Sequence, residues 1–230
     1  MAILEAREVH KVYDTRGVRT RALDGVDLAL AEGEFAVLHG PSGCGKTTLL
    51  NLLGALDEPS EGRVFLEGRD LAALSASERA ELRLRKLGFV FQAYNLIPVF
   101  TARENVEFVM ELQGVPPGER KERSDGILGE VGLAELADKR PLEMSGGQQQ
   151  RVAVARAIVG RPRVVLADEP TANLDSATAG QLLELMEELN REHGTTFLFS
   201  THDPMVIAKA RRRIRLRDGR VVADEREGGA

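Results

Sequence analysis

The sequence predicts an α/β fold in which helices cover both faces of a sheet of buried strands. Three short apolar runs have the composition of strands buried on both faces, at Glu34 to His39, Arg163 to Asp168 and Thr196 to Ser200. Segments of helical composition alternate with these runs, which is typical of a sheet with helices on both sides. Residues 93 to 144 carry mostly helical signals and break this alternation. We therefore expect a helical insert there.

The first half of the chain opens with strands that are punctuated by glycines at short intervals. A glycine-rich turn then connects the strand at Glu34 to His39 with a helix. Ser75 and Glu78 form a capping box, in which a serine at a helix start pairs with a glutamate three residues later. The elements expected in this half are strands at Ile3 to Tyr13, Leu23 to Leu30, Glu34 to His39 and Arg63 to Glu67, and helices at Thr47 to Leu53 and Ala80 to Leu87.

The second half contains two more capping boxes, Thr101 with Glu104 and Ser145 with Gln148, which mark helix starts. Asp218-Gly219 is a turn signal typical of a hairpin. The chain has no internal repeat and no linker long enough to separate domains. The elements expected in this half are strands at Gly88 to Phe91, Arg163 to Asp168, Thr196 to Ser200, Ile214 to Arg217 and Gly219 to Val222, and helices from Thr101, from Ser145 to near Gly160 and from Ser176 to His193.

The composition is that of an ordinary globular protein of 230 residues, with 31 basic and 36 acidic side chains and a net charge of −5. This balance gives no reason to expect nucleic acid as a partner. The single cysteine, Cys44, excludes an intrachain disulfide framework and a multi-cysteine metal site. No apolar run approaches the ~18 residues that cross a bilayer, and Met1 to Lys11 is too charged for a signal peptide, so we expect a soluble chain that stays inside the cell.

Residues 40 to 47 match a phosphate-binding loop, in which four residues separate two glycines and a lysine and a threonine follow. The glycines let backbone N–H groups turn toward phosphate, Lys46 reaches the β- and γ-phosphate oxygens, and Thr47 is a ligand for Mg²⁺. The alternative is a glycine-rich turn without a ligand, which the flanking strand and helix disfavour. The residues expected to contact a nucleotide here are Gly40, Pro41, Ser42, Gly43, Cys44, Gly45, Lys46, Thr47 and Thr48.

Cys44 lies inside this loop, and two interpretations are open for it. Either it is a small residue without a chemical role, which we favour, or the helix dipole makes its thiol nucleophilic. In the second case a thiol reagent should block nucleotide binding.

Two carboxylates follow the apolar run that ends at Ala167. Open α/β sheets place their ligands at the carboxyl ends of their strands, so Asp168 is expected to hold hydrated magnesium there. Glu169 is then placed to act as general base on the attacking water. A strand end with solvated acids is the alternative, which the phosphate loop earlier in the chain disfavours.

Two further polar residues follow predicted strands. His202 comes after the strand at Thr196 to Ser200, and its position favours a catalytic role over the structural role usual for a lone histidine. Gln92 follows the strand at Gly88 to Phe91, where its amide could touch magnesium or the attacking water. An exposed loop glutamine is the alternative for Gln92.

A second helix start carries unusual glycines, Gly146 and Gly147, between Ser145 and Gln148. Glycine costs about 1 kcal/mol relative to alanine within a helix. It also lets an anion approach the exposed N–H groups of the first turn, to which Ser145 adds a hydroxyl. We therefore predict a second anion site, with an ordinary helix cap as the alternative.

Taken together, these residues resemble the nucleotide-binding subunit of an ATP-binding cassette (ABC) transporter over essentially the whole chain. The family's Walker A loop matches Gly40 to Thr47, its Q-loop Gln92, its signature motif Ser145 to Gln148, its Walker B motif Val164 to Glu169, its D-loop Asn173 to Asp175 and its switch histidine His202. Tyr13 matches the aromatic residue that stacks on adenine, although a surface tyrosine at a strand end is the ordinary alternative. The departures are mild: Met144 stands where leucine is usual, Cys44 where serine is frequent, and Asn173 lies in the D-loop.

The resemblance implies a P-loop NTPase core with a mixed sheet, an antiparallel β subdomain and an inserted helical subdomain, all within one nucleotide-binding domain. The core would comprise about residues 1–92 and 160–230, and the helical subdomain about residues 93–159. The family also implies a head-to-tail dimer, in which Ser145, Gly147 and Gln148 of one copy complete the ATP site of the other. ATP and Mg²⁺ are the implied cofactors, with Thr47, Gln92 and Asp168 at the metal, Asp175 at the nucleotide, and Lys46, Gln92, Glu169 and His202 as the catalytic set.

Within the family, residues 70–98 resemble the macrolide-exporter and lipoprotein-release branch. In the family, the apolar segment Gly88 to Phe100 receives a coupling helix of the membrane subunit, which implies a permease docking near Gln92 to Phe100 at the cytoplasmic face of the inner membrane. A core strand followed by a buried loop is an equal alternative for this segment. An ABC ATPase of a cell-division complex is the alternative function. Repair-type relatives would need coiled coils or cysteine pairs that this chain lacks, and small GTPases and kinases would leave the Ser145 motif unexplained.

Overall fold

A computed structural model describes residues 2–15 and 17–226 of the chain. A six-stranded and a four-stranded sheet with helices packed on them confirm the predicted α/β class. The strands are β1 (Ala2–Thr15), β2 (Val18–Ala31), β3 (Phe35–His39), β4 (Glu61–Leu66), β5 (Arg69–Asp70), β6 (Leu87–Val90), β7 (Val164–Asp168), β8 (Thr196–Thr201), β9 (Arg212–Arg217) and β10 (Arg220–Arg226). The α-helices are α1 (Lys46–Leu53), α2 (Ala76–Lys86), α3 (Ala102–Leu112), α4 (Pro117–Glu130), α5 (Gly146–Val159), α6 (Ser176–His193) and α7 (Pro204–Lys209).

The six-stranded sheet has the order β10-β9-β3-β8-β7-β6 and is mixed, as the resemblance implied. Its strands from β9 to β6 are parallel, and β10 pairs with β9 antiparallel. Asp168 pairs with Ser200, and His39 pairs with Thr201, so the carboxyl ends of β3, β7 and β8 lie at one edge. The loops that leave this edge carry the phosphate loop, the two carboxylates and His202.

The two faces of this sheet contribute to two separate hydrophobic clusters. In β7, Val165 and Ala167 belong to the cluster that includes helices α3 to α6, while Val164 and Leu166 belong to the other, which includes α1 and the second sheet. Successive side chains of a strand point to opposite faces, so a strand covered on both sides must be apolar throughout. This explains the unbroken apolar runs in the sequence.

The four-stranded sheet has the order β2-β1-β4-β5 and is antiparallel throughout. It packs against α1, so the antiparallel β part expected from the resemblance lies directly beside the phosphate loop. Its short edge strand β5 was not expected from the sequence.

Helices α3 and α4 pack on α5 and form most of the predicted insert. Helix α5 also contacts the large sheet: a Cβ on Gly88 of β6 would lie 2.3 Å from the carbonyl oxygen of Ala157, so only glycine fits there. The division into a core and a helical subdomain at residues 93 and 160 stays a prediction. Within the described part of the chain, no helix is long and apolar enough to cross a membrane.

The local signals in the sequence mark the element boundaries closely. The capping boxes at Ser75, Thr101 and Ser145 are all formed. The expected helix at Ala80 to Leu87 is wrong at its end, because Leu87 pairs with Val164 and is the first residue of β6. Helix α7 was also not expected.

Candidate functional site

The loop between β3 and α1 follows a path that requires glycine at two positions. Gly40 has a φ of 154° and Gly45 a φ of 107°. A Cβ on Gly40 would lie 2.0 Å from the carbonyl oxygen of Leu216, and one on Gly45 would lie 2.5 Å from that of Ala22. The loop is thus pressed against β9 and β2, and any other side chain would displace its backbone.

Helix α1 begins without a capping side chain. Its N-cap residue is Gly45, which offers no side-chain hydrogen bond, and its first turn contains no acidic residue. The free N–H groups and the positive end of the helix dipole are therefore available to an anion. The five other helices of eight residues or more begin differently: four carry a capping side chain at the N-cap, and α4 has proline in its first turn.

Lys46 is folded into its own loop. Its Nζ donates hydrogen bonds to the carbonyl oxygens of Gly40 at 3.0 Å and Pro41 at 3.3 Å. The same Nζ lies 3.8 Å from Oε1 of Glu169, and the lysine side chain is buried. A buried ammonium held by two carbonyls can exchange these partners for phosphate oxygens without moving far.

Thr47 and Asp168 meet across the edge of the sheet. The hydroxyl of Thr47 donates to Oδ2 of Asp168 at 2.9 Å, and the hydroxyl of Ser200 donates to Oδ1 at 2.6 Å. Ser200 also accepts the backbone N–H of Glu169 at 3.0 Å. Ser200 was missed in the sequence, where it is the polar residue near the end of the buried strand β8.

Glu169 and His202 form the second polar contact of this edge. Nδ1 of His202 lies 3.1 Å from Oε1 and 3.0 Å from Oε2 of Glu169. The backbone of Glu169 has a φ of 48°, a left-handed conformation that is uncommon for glutamate and turns the chain sharply after β7. The Glu169 side chain is 15% exposed, whereas that of His202 is 68% exposed.

Lys46, Thr47, Glu169 and His202 line a cleft of about 610 Å³, whereas Asp168 and Ser200 do not line it. Gln92 reaches it from the end of β6, and Thr20, Arg21 and Ala22 of β2 close the opposite side. The β2 residues were not expected from the sequence, because only the pairing of the antiparallel sheet brings them there. The predicted residues that line the cleft are Ser42, Gly43, Gly45, Lys46, Thr47, Thr48, Gln92, Glu169 and His202.

Tyr13 lies near this cleft but does not line it. Its hydroxyl donates to Oδ2 of Asp57 at 2.9 Å, and Nζ of Lys11 lies 4.9 Å from the centre of its ring. Burial and the hydrogen bond to Asp57 raise the pKa of Tyr13, against a smaller opposing effect of Thr48. Tyr13 is therefore held beside the start of α1, with 37% of its surface exposed.

Cys44 is buried, with 5% of its surface exposed, and belongs to the hydrophobic cluster beneath the loop. Its backbone N–H and carbonyl bond to Pro41 and Gly219. A buried thiol among apolar groups is unreactive, so this environment favours the structural interpretation of Cys44.

The second predicted anion site lies outside the cleft. Ser145 accepts the N–H of Gln148 at 3.3 Å, and the Gln148 side chain accepts that of Ser145 at 2.8 Å. Gly147 is packed against α6, where a Cβ would lie 2.7 Å from Cγ2 of Thr178. None of the residues from Ser145 to Gln148 lines the cleft of the same chain, as far as the described residues show.

Asp175 caps helix α6 rather than lining the cleft. Its carboxylate accepts the N–H groups of Ala177 and Thr178, each at 3.0 Å, and the Thr178 hydroxyl at 2.6 Å. These hydrogen bonds, with that from the Thr178 side chain the largest, lower the pKa of Asp175.

The donors at this edge suit a hard cation. A hydroxyl, a carboxylate and the nearby amide of Gln92 are all oxygen ligands, which Mg²⁺ prefers. The residues present therefore fit a magnesium ion next to phosphate.

Comparison with known proteins identifies the family. A family model described as "ABC transporter" matches residues 23–172. The chain is 46% identical over 226 residues to an uncharacterized ABC transporter ATP-binding protein of Thermotoga maritima, covering 98% of this chain and 96% of the relative. It is 48% identical over 230 residues to the lipoprotein-releasing system ATP-binding protein LolD of Anaeromyxobacter dehalogenans, covering 99% and 96%.

Longer relatives and solved structures agree with these matches. The chain is 45% identical over 222 residues to the macrolide export ATP-binding/permease protein MacB of Hyphomonas neptunium, covering 96% of this chain but only 34% of that relative. A dimeric post-hydrolysis structure of the ATP-binding cassette MJ0796, bound to ADP and Pi, is 40% identical with a TM-score of 0.91, covering 99% and 100% of the two chains.

Proposed function

This chain belongs to the ABC transporter family, and from that membership we propose that it powers export or extraction of a substrate through a partner permease. As an ABC ATPase it binds and hydrolyses ATP. Its similarity to LolD and MacB supports a place in the branch that releases lipoproteins or exports macrolides. That branch would place it against the cytoplasmic face of the inner membrane, on a permease.

The observation that carries this proposal is the cleft at the carboxyl edge of the large sheet. Lys46, Thr47, Gln92, Glu169 and His202 line one cleft beside a helix start that lacks a capping side chain. On nucleotide binding, Lys46 exchanges the Gly40 and Pro41 carbonyls for β- and γ-phosphate oxygens. The N–H groups of residues 43–48 bind the remaining phosphate oxygens, and Tyr13 stacks on the base.

Magnesium would be held by Thr47 and Asp168, with Gln92 completing the set. Bound there, it would neutralise the charge that develops on the phosphates. Ser200 donates a 2.6 Å hydrogen bond to Asp168. This bond positions the carboxylate that accepts the Thr47 hydroxyl and would bind the cation.

Hydrolysis then proceeds by attack of water on the γ-phosphorus. Glu169 accepts a proton from this water, the new oxygen–phosphorus bond forms, and the bond between the γ-phosphorus and the bridging oxygen of ADP breaks. His202 holds Glu169 through Nδ1, and its second ring nitrogen, Nε2, would contact a phosphate oxygen. Gln92, which follows the strand β6 next to β7, orients the water from beside Glu169.

A second copy would complete the site. The helix start at Ser145 is predicted to bind an anion, but it lies outside the cleft of its own chain. It would therefore not reach the phosphates bound in that cleft. Head-to-tail pairing brings Ser145, Gly147 and Gln148 of one copy onto the γ-phosphate held by Lys46 of the other, with Asp175 nearby. The dimeric cassette structures support this arrangement.

The permease would dock next to Gln92. None of residues 91–100 is buried, whereas Leu87 and Val90 of the preceding strand are, so the loop is more exposed than the strand, with Leu96 packed against the core. A groove of about 350 Å³ lies beside the loop, where Phe89 and Phe91 are stacked with their ring centres 5.9 Å apart. A mostly apolar groove next to Gln92, which would sit at the magnesium and the attacking water, suits a docking partner that responds to nucleotide.

Co-purification from membranes tests the assignment. The tagged chain should retain an integral membrane protein after detergent extraction, and Phe91→Asp should lose it. Val222→Asp, which also replaces an apolar side chain with a carboxylate but on the remote strand β10, should retain it. A permease with few spans and a large extracytoplasmic domain would support the transporter branch. Recovery of a cell-division protein instead would favour the alternative function.

A further inference from the structure

The segment after Gln92 adopts an unusual backbone conformation. Tyr94 and Asn95 are consecutive residues with φ values of 60° and 50°, although neither is glycine. Left-handed conformations cost a non-glycine residue roughly 1–2 kcal/mol each, less for asparagine. Two in succession persist only where other contacts hold them.

Arg156 supplies those contacts from helix α5. One guanidinium nitrogen donates to the carbonyl oxygen of Tyr94 at 2.8 Å, and the other donates to that of Asn95. Burial alone lowers the pKa of Arg156, and no described carboxylate forms an ion pair with it. Among the described residues, the hydrogen bonds of this half-buried guanidinium all go to the carbonyls of Tyr94 and Asn95, so Arg156 holds this segment against α5.

The side chain of Tyr94 reaches the start of the same helix. A Cβ built on Gly146 would lie only 2.8 Å from the Tyr94 hydroxyl oxygen and 3.8 Å from Cζ of the same ring. Tyr94 thus spans from Arg156, near the end of α5, to Gly146 in the Ser145 motif. At the other end of the segment, Nδ2 of Asn173 donates to the carbonyl oxygen of Gln92 at 2.8 Å.

We propose that Arg156 and Tyr94 are positioning residues that fix the Ser145 motif relative to Gln92, and that this placement sets how readily two copies pair on ATP. The proposal rests on the proposed function, since it presumes the two-copy ATP site. Neither residue lines the nucleotide cleft. Each acts through the backbone of residues 92–95 and through helix α5.

The test is carried out in the Glu169→Gln background, in which hydrolysis does not consume the ATP. Arg156→Lys loses the two-pronged hydrogen bond but keeps the charge. Arg151→Lys is the matched control, because Arg151 lies on the same helix and also donates to a backbone carbonyl, that of Val131 at 3.0 Å. Two quantities are measured for each: the affinity of the monomer for a fluorescent ATP analogue, and the ATP concentration at which dimer forms.

We expect Arg156→Lys to leave monomer affinity within about twofold but to raise the ATP concentration for dimer formation about 10-fold, in the range usual for coupling between sites. Arg151→Lys should change neither. An Arg156→Lys protein that dimerises like its parent overturns the positioning role. Failure of the Glu169→Gln parent itself to dimerise overturns the proposed function instead.

A second variant keeps the proposal testable if Arg156→Lys does not fold. Tyr94→Ala removes the ring that lies over Gly146 and leaves the Arg156 hydrogen bonds to the backbone in place. It should show the same split between monomer affinity and dimer formation. Because the two residues act as one unit, the double variant should be no worse than the more affected single variant. Strictly additive losses, which independent structural defects would give, contradict the proposal.

Discussion

His202 places its Nδ1 atom 3.0 Å from Oε2 of Glu169, although the two residues follow different strands and lie 33 positions apart. The contact arises because β7 and β8 are adjacent and parallel, with Asp168 opposite Ser200. It restricts the rotation of the Glu169 carboxylate, which suits the general-base role proposed for this residue. The contact with His202 therefore fixes the position of the Glu169 carboxylate, of whose side chain 15% stays exposed.

Replacing Glu169 with glutamine should leave Mg-ATP binding intact and slow hydrolysis at least ~100-fold, because the general base is lost. Phosphate release under single-turnover conditions measures the effect. Glu188→Gln, an exposed change on α6, should hydrolyse ATP at the parental rate. Near-normal turnover by the Glu169 variant would remove its assigned role.

Replacing Thr47 with valine should reduce ATPase activity at least ~10-fold, since the hydroxyl that meets Asp168 at 2.9 Å is lost from the cation site. Thr47→Ser retains the hydroxyl and should keep most of the activity. The measurement is the rate as a function of Mg²⁺ concentration. If the valine variant shows an unchanged magnesium requirement, Thr47 is not a ligand.

Ser145→Ala should abolish hydrolysis and leave ATP binding to the monomer largely unchanged. The change also breaks a capping box, which costs about 1 kcal/mol of stability. Ser75→Ala breaks the equivalent capping box of α2 and is therefore the control. Both variants should melt at similarly lowered temperatures, and only the first should lose ATPase activity. Loss of monomer binding in Ser145→Ala would mean that the site does not need two copies.

Asp224 should contribute pH-dependent stability through its pair with Arg212. Hydrogen bonding from the buried guanidinium lowers the pKa of Asp224. A carboxylate whose pKa is lower in the folded chain stabilises it above its unfolded pKa, about 3.9, and this contribution is lost as the pH falls through the folded value. Because 38% of the Asp224 side chain is exposed and solvent screens the pair, Asp224→Asn should cost about 1 kcal/mol at pH 7. Urea unfolding should show the deficit shrinking below about pH 4, and a deficit independent of pH would contradict the pairing.

The features that the sequence predicts well are local. The capping boxes at Ser75, Thr101 and Ser145 depend on residues three positions apart, and all three are formed. The position of Asp168 at a strand end follows from the apolar run before it.

The missed features depend on contacts between distant segments. Thr20 and Arg21 reach the cleft only because β2 pairs with β1 beside α1, and Ser200 meets Asp168 only because β8 lies next to β7. Arg156 and Tyr94 lie 62 positions apart, and nothing in the local pattern of either residue indicates their contact. Pairing of strands and packing of helices decide these neighbours, and a single sequence does not encode them in its spacing.

In the proposed assembly, ATP joins two copies of this chain through the Ser145 motif. The most direct measurement is the mass of the Glu169→Gln protein by sedimentation, with and without Mg-ATP. We predict a monomer without nucleotide, a dimer with it, and a return to monomer when Ser145→Ala is added. Two results would contradict the two-copy ATP site: a Glu169→Gln protein that binds ATP and stays monomeric, or a dimer that persists when Ser145→Ala is added.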